Sequence, residues 1–474
     1  MQVSRRKFLT LAGTSAATVT MLSPLEAFYA RVARGEMPTT RGYGRLEEKL
    51  PLNSAELPAQ YRGVPILQLP RGFNYTAFHF TGEQMDDGFT VPQGHDGMAA
   101  YPGANKTTIL VCNHELGSSA NNPVRGDTRY STGVQGGTST VVVGADRKPI
   151  KHFNSLAGTS RNCAGGPTPW RTWVTCEETF STSSNTTGTA GTATVRHGYN
   201  FEVVADPNSG LVTPVALTAM GRFNHEAIAV DPRTGYVYET EDRGDSSFYR
   251  FVPNVRPTKV GDLAQGGTLY ALKVRGAENF ALNTINNPNF GGQPGLVQVG
   301  QKLPVEWVQI DNPDPDQDTV RKEAQEKGAA IFFRGEGAWY GNGLIYFVAS
   351  QGGPPVSSAT NARGNGQVWA YDPAREELTL VVEGSPTGAF LEAPDNITVA
   401  PWGDLFLCED GSGVDYIVGV NGKGEVYQFA MNNLGSSEFA GACFSADGRT
   451  MFVNIQSPGI TLAIFGPWNR AYRG

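Results

Sequence analysis

Residues 395–410 read DNITVAPWGDLFLCED. Apolar residues alternate from Ile397 to Val399, a tip of Trp402, Gly403 and Asp404 follows, and Leu405 and Leu407 begin a second alternating run. Two short alternating runs around a Gly-containing turn make a β-hairpin. A hairpin reverses the chain, so the opening Asp395 and the closing Glu409 and Asp410 lie at one edge. Five further stretches share this layout: 96–115 (DGMAAYPGANKTTILVCNHE), 163–178 (CAGGPTPWRTWVTCEE), 226–242 (EAIAVDPRTGYVYETED), 336–351 (EGAWYGNGLIYFVASQ) and 438–454 (EFAGACFSADGRTMFVN). Each opens on a metal-type ligand and closes on polar or acidic groups. If the six units ring an axis, all of these groups converge on one mouth.

The opening positions 96, 163, 226, 336, 395 and 438 are separated by 67, 63, 110, 59 and 43 residues. Most of these gaps hold one four-stranded blade with its loops, which predicts an all-β, six-bladed β-propeller over 91–474. The 110-residue gap contains an Asn-, Gly- and Pro-rich segment, 279–325, read as an inserted loop that covers the mouth. Residues 36–90 read as an N-terminal arm, and the short last unit suits a ring closed by strands from that arm. A β-sandwich is the alternative architecture, but it leaves the repeated ligand placement without a reason. Helical period is confined to a short run at 320–327.

The composition agrees. The chain has 474 residues, 58 Gly, 30 Pro and 18% charged residues, which favours many tight turns over helices. A net charge of −7 excludes the basic footprint that nucleic acid requires. Ser4-Arg5-Arg6-Lys7-Phe8-Leu9 is a twin-arginine pattern, and the apolar stretch after it is too short to span a membrane stably. Residues 1–35 are therefore read as an export signal handled by the twin-arginine translocase. The expected location is periplasmic or secreted, with no stable membrane span. No G-x-S-x-G elbow, P-loop or H-E-x-x-H motif occurs, which removes support for a serine hydrolase or an NTPase.

The acids expected at the mouth are Asp96, Glu115, Glu177, Glu178, Glu226, Glu241, Asp242, Glu336, Asp395, Glu409 and Asp410. So many carboxylates cannot share a confined space ionised without cations. Oxygen ligands point to hard divalent ions, calcium above all. Cys163 stands apart from the other four cysteines. It opens its hairpin where the other five carry Asp or Glu, and a thiol there suggests a transition metal, iron or zinc, beside calcium. Cys112, Cys176, Cys408 and Cys443 read as small buried side chains. Arg334, two residues before Glu336, suits the grip of a phosphate or carboxylate. Asn113, Arg222 and Arg243 are weaker candidates for that work. By alternation His114 and His225 point away from the glutamates that follow them and pack behind the site. His95, just before Asp96, is ambiguous.

The strings GHDGMAAYPG, LVCNHE, NCAGG, TWVTCEE, GRFNHEA, YETEDRGDSSFYRFVP, FRGEGAWY, EAPDNITVAPWGDLFLCEDG and EFAGACFSADGRTMFVN resemble the PhoX family of exported alkaline phosphatases. The resemblance runs from about residue 90 to the end, and the twin-arginine signal fits it. It implies a six-bladed propeller whose channel mouth holds ferric iron and calcium, sharing carboxylates, a thiolate and a bridging oxo group. Matched motif by motif, Cys163 would be the thiolate ligand. Glu178, Glu226, Glu336 and Asp395 would be further metal ligands, and Asp96, Glu115, Glu241 and Asp242 would serve calcium. Arg334 would hold the phosphate of a small phosphate-ester substrate. The expected activity is phosphate monoester hydrolysis. A calcium-dependent propeller lactonase and a non-enzymatic calcium-stabilised binding propeller are the alternatives.

Overall fold

The computed structural model describes residues 42–187, 191–277, 297–353, 364–385 and 390–468. The proposed export signal at 1–35, the first residues of the arm and residues 279–296 of the 279–325 stretch lie outside them. Strands dominate, and the helical run expected at 320–327 forms one short helix, Val320–Glu326.

Each of the six quoted stretches forms an antiparallel hairpin, and outer strands extend it. The first, His95–Pro102 with Thr108–His114, continues through Gly136–Val143 and Pro149–Thr159. The second, Asn162–Pro167 with Thr172–Glu177, adds Asn200–Val204. Strands such as Val237–Glu241 and Leu405–Glu409 are buried along their whole length. A strand buried on both faces must be covered by a neighbouring sheet on either side. Aromatic side chains fill those gaps: Phe248 stacks on Phe347 at 4.1 Å between ring centroids, and Phe73 meets Phe429 edge-on at 5.1 Å. The opening strands touch one another in sequence order, and the last, Phe439–Phe444, touches the first, His95–Pro102. The arrangement is propeller-like.

The hydrogen bonds do not delimit six separate blades. The sheets that begin at His225–Val230 and Gly335–Gly341 merge into one nine-stranded sheet. The cause lies in the stretch read as a loop insertion. Its residues Lys302–Gln309 form a strand that pairs with Gly267–Val274 on one side and, through Leu303↔Leu378, with Glu377–Glu383 on the other. The arm also supplies strands. Asn74–Phe78 pairs with Ile460–Phe465 and so completes the last sheet, joining the two ends of the ring. Leu67–Pro70 and Leu46–Lys49 extend the sheet that opens at Pro394–Val399.

Candidate metal centre

The same irregularity recurs in all six hairpins. Pairing slips between His95 and Met98, Asn162 and Gly165, His225 and Ile228, Gly335 and Ala338, Pro394 and Ile397, and Ala440 and Cys443. Such a bulge re-aims side chains at a strand end. Its first residue is Asp96, Cys163, Glu226, Glu336, Asp395 or Gly441. Its second, Gly97, Ala164, Ala227, Gly337, Asn396 or Ala442, lines one narrow space on the axis. The sixth unit thus opens on Gly441 and not, as expected, on Glu438. Gly441 has φ +63°, and a Cβ there would stand 2.5 Å from the Asp96 carbonyl oxygen.

One backbone hydrogen bond also repeats six times. The N–H of Glu115, Glu178, Asp242, Ser350, Asp410 and Gln456 donates to the carbonyl of Gly94, Arg161, Asn224, Arg334, Ala393 and Glu438 respectively. This bond fixes the closing residue of each hairpin at the rim. Arg161 (φ 51°) and Arg334 (φ 56°) hold the left-handed backbone at corresponding places, and Glu438 occupies that place in the sixth unit. The closing residue and the one before it face opposite ways, because a strand alternates. Glu178, Asp242 and Asp410 therefore belong to the mouth, while Glu177, Glu241 and Glu409 lie behind it. Glu241, expected as a calcium ligand, accepts a hydrogen bond from the Tyr249 hydroxyl (2.8 Å) and lies 3.4 Å from Arg321.

Three groups of donor atoms form at the mouth, each with its atoms within 4.8 Å of one another: Cys163, Glu178 and Glu226; Glu226, Glu336 and Asp395; and Asp96, Glu115 and Glu438. Glu226 joins the first two. It therefore links Cys163 with Glu336 and Asp395. Asp242 stands beside the second group, gripping Arg334 through two hydrogen bonds of 2.8 and 2.9 Å, while Arg334 Nη2 lies 3.2 Å from Glu336. Ser350 donates to Glu336 (2.6 Å). Gln456 donates to Asp96 and Glu115.

Arg161, not anticipated from the sequence, bridges Glu115 (2.6 Å) and Glu178 (2.5 Å). Its signal was its place, two residues before Cys163 as Arg334 is two before Glu336. Asn113, expected at the substrate, is fully buried. Its amide donates to the carbonyls of Cys163 and Ala164, and its oxygen accepts from the Trp173 indole. It holds the Cys163 strand in place. Arg243 pairs with Asp318 and Arg222 with backbone carbonyls, so neither joins the three groups. His225 lies behind the mouth against Glu239 (3.3 Å). The five cysteines are free and buried.

The electrostatics are those of a site built for cations. Burial, then repulsion from Asp395, Glu336 and Glu178, pushes Glu226 well above the carboxylate range. Burial first and other acids second do the same to Asp96, Glu336, Asp395 and Glu438. Glu178 is raised to about 7 by burial, against the pull of Arg161. The Cys163 thiol is raised by burial and then by Glu226. Arg161 and Arg334 supply too little positive charge for so many carboxyls. Bound cations would reverse every one of these shifts. The donors fit metals: one sulfur with carboxylate oxygens in the first group suits a transition ion, and oxygens alone in the third suit calcium.

Comparison with known proteins identifies the family. The family model described as alkaline phosphatase PhoX matches residues 54–459. A solved structure of Pseudomonas fluorescens PhoX in complex with vanadate, a transition state analogue, is 18% identical, with a TM-score of 0.61 over 85% of this chain and 96% of that one. A Staphylococcus aureus virginiamycin B lyase is 10% identical over 83% of this chain and 99% of that one, with a TM-score of 0.38. A Xanthomonas campestris gluconolactonase is 12% identical over 83% and 90%, with a TM-score of 0.39. No curated protein sequence matches the chain.

Proposed function

The chain belongs to the PhoX family of alkaline phosphatases, and we propose that it hydrolyses phosphate monoesters at the mouth just described. One observation carries this reading: the Cys163 sulfur and oxygens of Glu178 and Glu226 lie within 4.8 Å of one another, and Glu226 also reaches Glu336 and Asp395. We assign iron to these two linked groups and calcium to Asp96, Glu115 and Glu438. Bound there, the ions would act as Lewis acids on the phosphoryl oxygens and bring a water-derived nucleophile into range at alkaline pH.

The residues of the chain do the rest. Arg334 is 38% exposed and uses its Nε and Nη2 edge to bind Asp242. The guanidinium thus stays pinned in one orientation while it presents charge to an incoming ester. As negative charge builds on the transferring phosphoryl group, Arg334 stabilises it without having to reorganise. Asp242 positions Arg334, and Ser350 orients Glu336. Arg161 holds Glu115 and Glu178 side by side, spanning the proposed iron and calcium groups.

We read the fold as six blades, two of them fused by the strand Lys302–Gln309. The six repeated bulges and the six repeated rim hydrogen bonds support that count. We place the mature enzyme in the periplasm or outside the cell, exported by the twin-arginine route that the Ser4–Leu9 pattern suggests. The test is turnover of p-nitrophenyl phosphate at alkaline pH. Prolonged chelation should abolish it. Full turnover by metal-stripped protein would overturn the proposal.

A further inference from the structure

Four of the six histidines gather behind the mouth: His79, His95, His114 and His152. His79, His95 and His114 are fully buried. Their hydrogen bonds fix their tautomers, because a ring nitrogen facing a carbonyl must carry the proton. His114 Nδ1 donates to the Gln93 carbonyl (3.1 Å) and His95 Nε2 to the Pro92 carbonyl (3.1 Å). His152 Nε2 donates to the Gln84 carbonyl (2.9 Å); with a neutral imidazole there, its Nδ1 accepts and His79 Nδ1 donates to it (3.2 Å).

Three lone pairs remain, on His79 Nε2, His95 Nδ1 and His114 Nε2. Ser139 Oγ lies 3.0 Å from His79 Nε2 and 2.8 Å from His114 Nε2, but a hydroxyl has one proton to give. His95 Nδ1 is buried and has no hydrogen-bond partner among the described residues. Three buried imidazole acceptors therefore face one hydroxyl proton. Burial opposes taking up a proton to resolve the deficit. One ligand atom from each of the three rings lies within 4.8 Å of the others.

The geometry points to a second metal site, in which His79 Nε2, His95 Nδ1 and His114 Nε2 hold one divalent transition-metal ion of the zinc class. Each ring already donates its other N–H outward to a carbonyl or to His152, as ligating imidazoles do. Zinc–nitrogen bonds of about 2.0 Å put tetrahedral nitrogens about 3.3 Å apart, so a modest contraction of the cluster accommodates the ion. The site is separate from the mouth. His95 precedes Asp96 and His114 precedes Glu115, and alternation sends the two sets to opposite sides. It is also placed to lock the fold. His79 follows Asn74–Phe78, the strand that completes the last sheet, whereas His95 and His114 belong to the first hairpin and Ser139 to the strand beside it. An ion there would clamp the last sheet to the first.

The test adds one equivalent of zinc sulfate to the purified full-length protein. The zinc X-ray absorption spectrum should show nitrogen neighbours at about 2.0–2.1 Å with the outer scattering of imidazole rings. Zinc should also raise the melting temperature, and His79→Gln should lose that rise while Cys163→Ser keeps it. Three results would each overturn the proposal: absence of bound zinc, a shell of oxygen or sulfur without imidazole, or the same thermal rise in His79→Gln. If His79→Gln does not fold, the spectrum of the wild-type protein decides alone.

Discussion

Glu178 and Glu177 are neighbours of one residue type, and they live in opposite worlds. Glu178 turns into the mouth, where it meets Cys163, Glu226 and Arg161. Glu177 turns behind it, where its oxygens accept from the N–H groups of Ser160, Gly198 and Tyr199 and lie 2.7 Å from His197. The contrast repeats at Asp242 and Glu241, and at Asp410 and Glu409. The layer behind is satisfied by the chain itself and serves stability. The mouth leaves its carboxyls facing one another and calls for an outside cation. A single strand delivers both because its side chains alternate.

The largest expected effect comes from the residue that links two donor groups. Glu226→Gln should lower kcat/KM for p-nitrophenyl phosphate by about 1000-fold or more, the scale of losing a main charge-stabilising element, and should lower iron content as well. Retained iron with near-normal turnover would break the contrast. Next comes Arg334→Ala, with a loss of about 100- to 1000-fold in kcat/KM and a normal circular dichroism spectrum. Behind these lies the thiol pair: Cys163→Ala should reduce bound iron and Cys176→Ala should not. Equal iron loss in both would point to the wrong thiol.

The acid pair itself gives smaller effects of opposite kind. Glu177→Gln should destabilise the protein by about 1–3 kcal/mol, because buried donors lose their carboxylate, with metal content unchanged. Glu178→Gln should reduce metal content and leave the metal-free protein as stable or more so, since it removes one repelling charge. Urea titrations of both variants measure this. Glu178 also sets a dependence on pH. Glu178 has a folded-state pKa of about 7, above the 4.5 of an ordinary glutamate. The unfolded chain therefore releases its proton first, and the metal-free protein should lose stability as pH rises from about 4.5 to 7. With ions bound, that slope should vanish.

Much of this was legible in the sequence, for a physical reason. Asp96, Cys163, Glu226, Glu336 and Asp395 could be found because a hairpin fixes where its first strand opens, and turn residues such as Gly403 mark the tips. Glu438 was misplaced because a bulge shifts register without a sequence mark; Gly441, the true counterpart, has no side chain to betray it. Glu241 was read together with Asp242 as one pair, although alternation sends only the second member to the mouth. Arg161 went unnoticed because its partners, Glu115 and Glu178, come from different hairpins. The fused sheet was invisible for a similar reason: Leu303 and Leu378 are far apart in sequence, and no local pattern records their pairing.

In the proposed site a thiol and acids from separate hairpins share ions in one mouth. The X-ray absorption spectrum at the iron edge of protein purified through its own export route tests it most directly. Iron should show one sulfur neighbour among oxygens, and that sulfur should be lost in Cys163→Ser. Iron surrounded by oxygen and nitrogen alone, unchanged by the substitution, would contradict it.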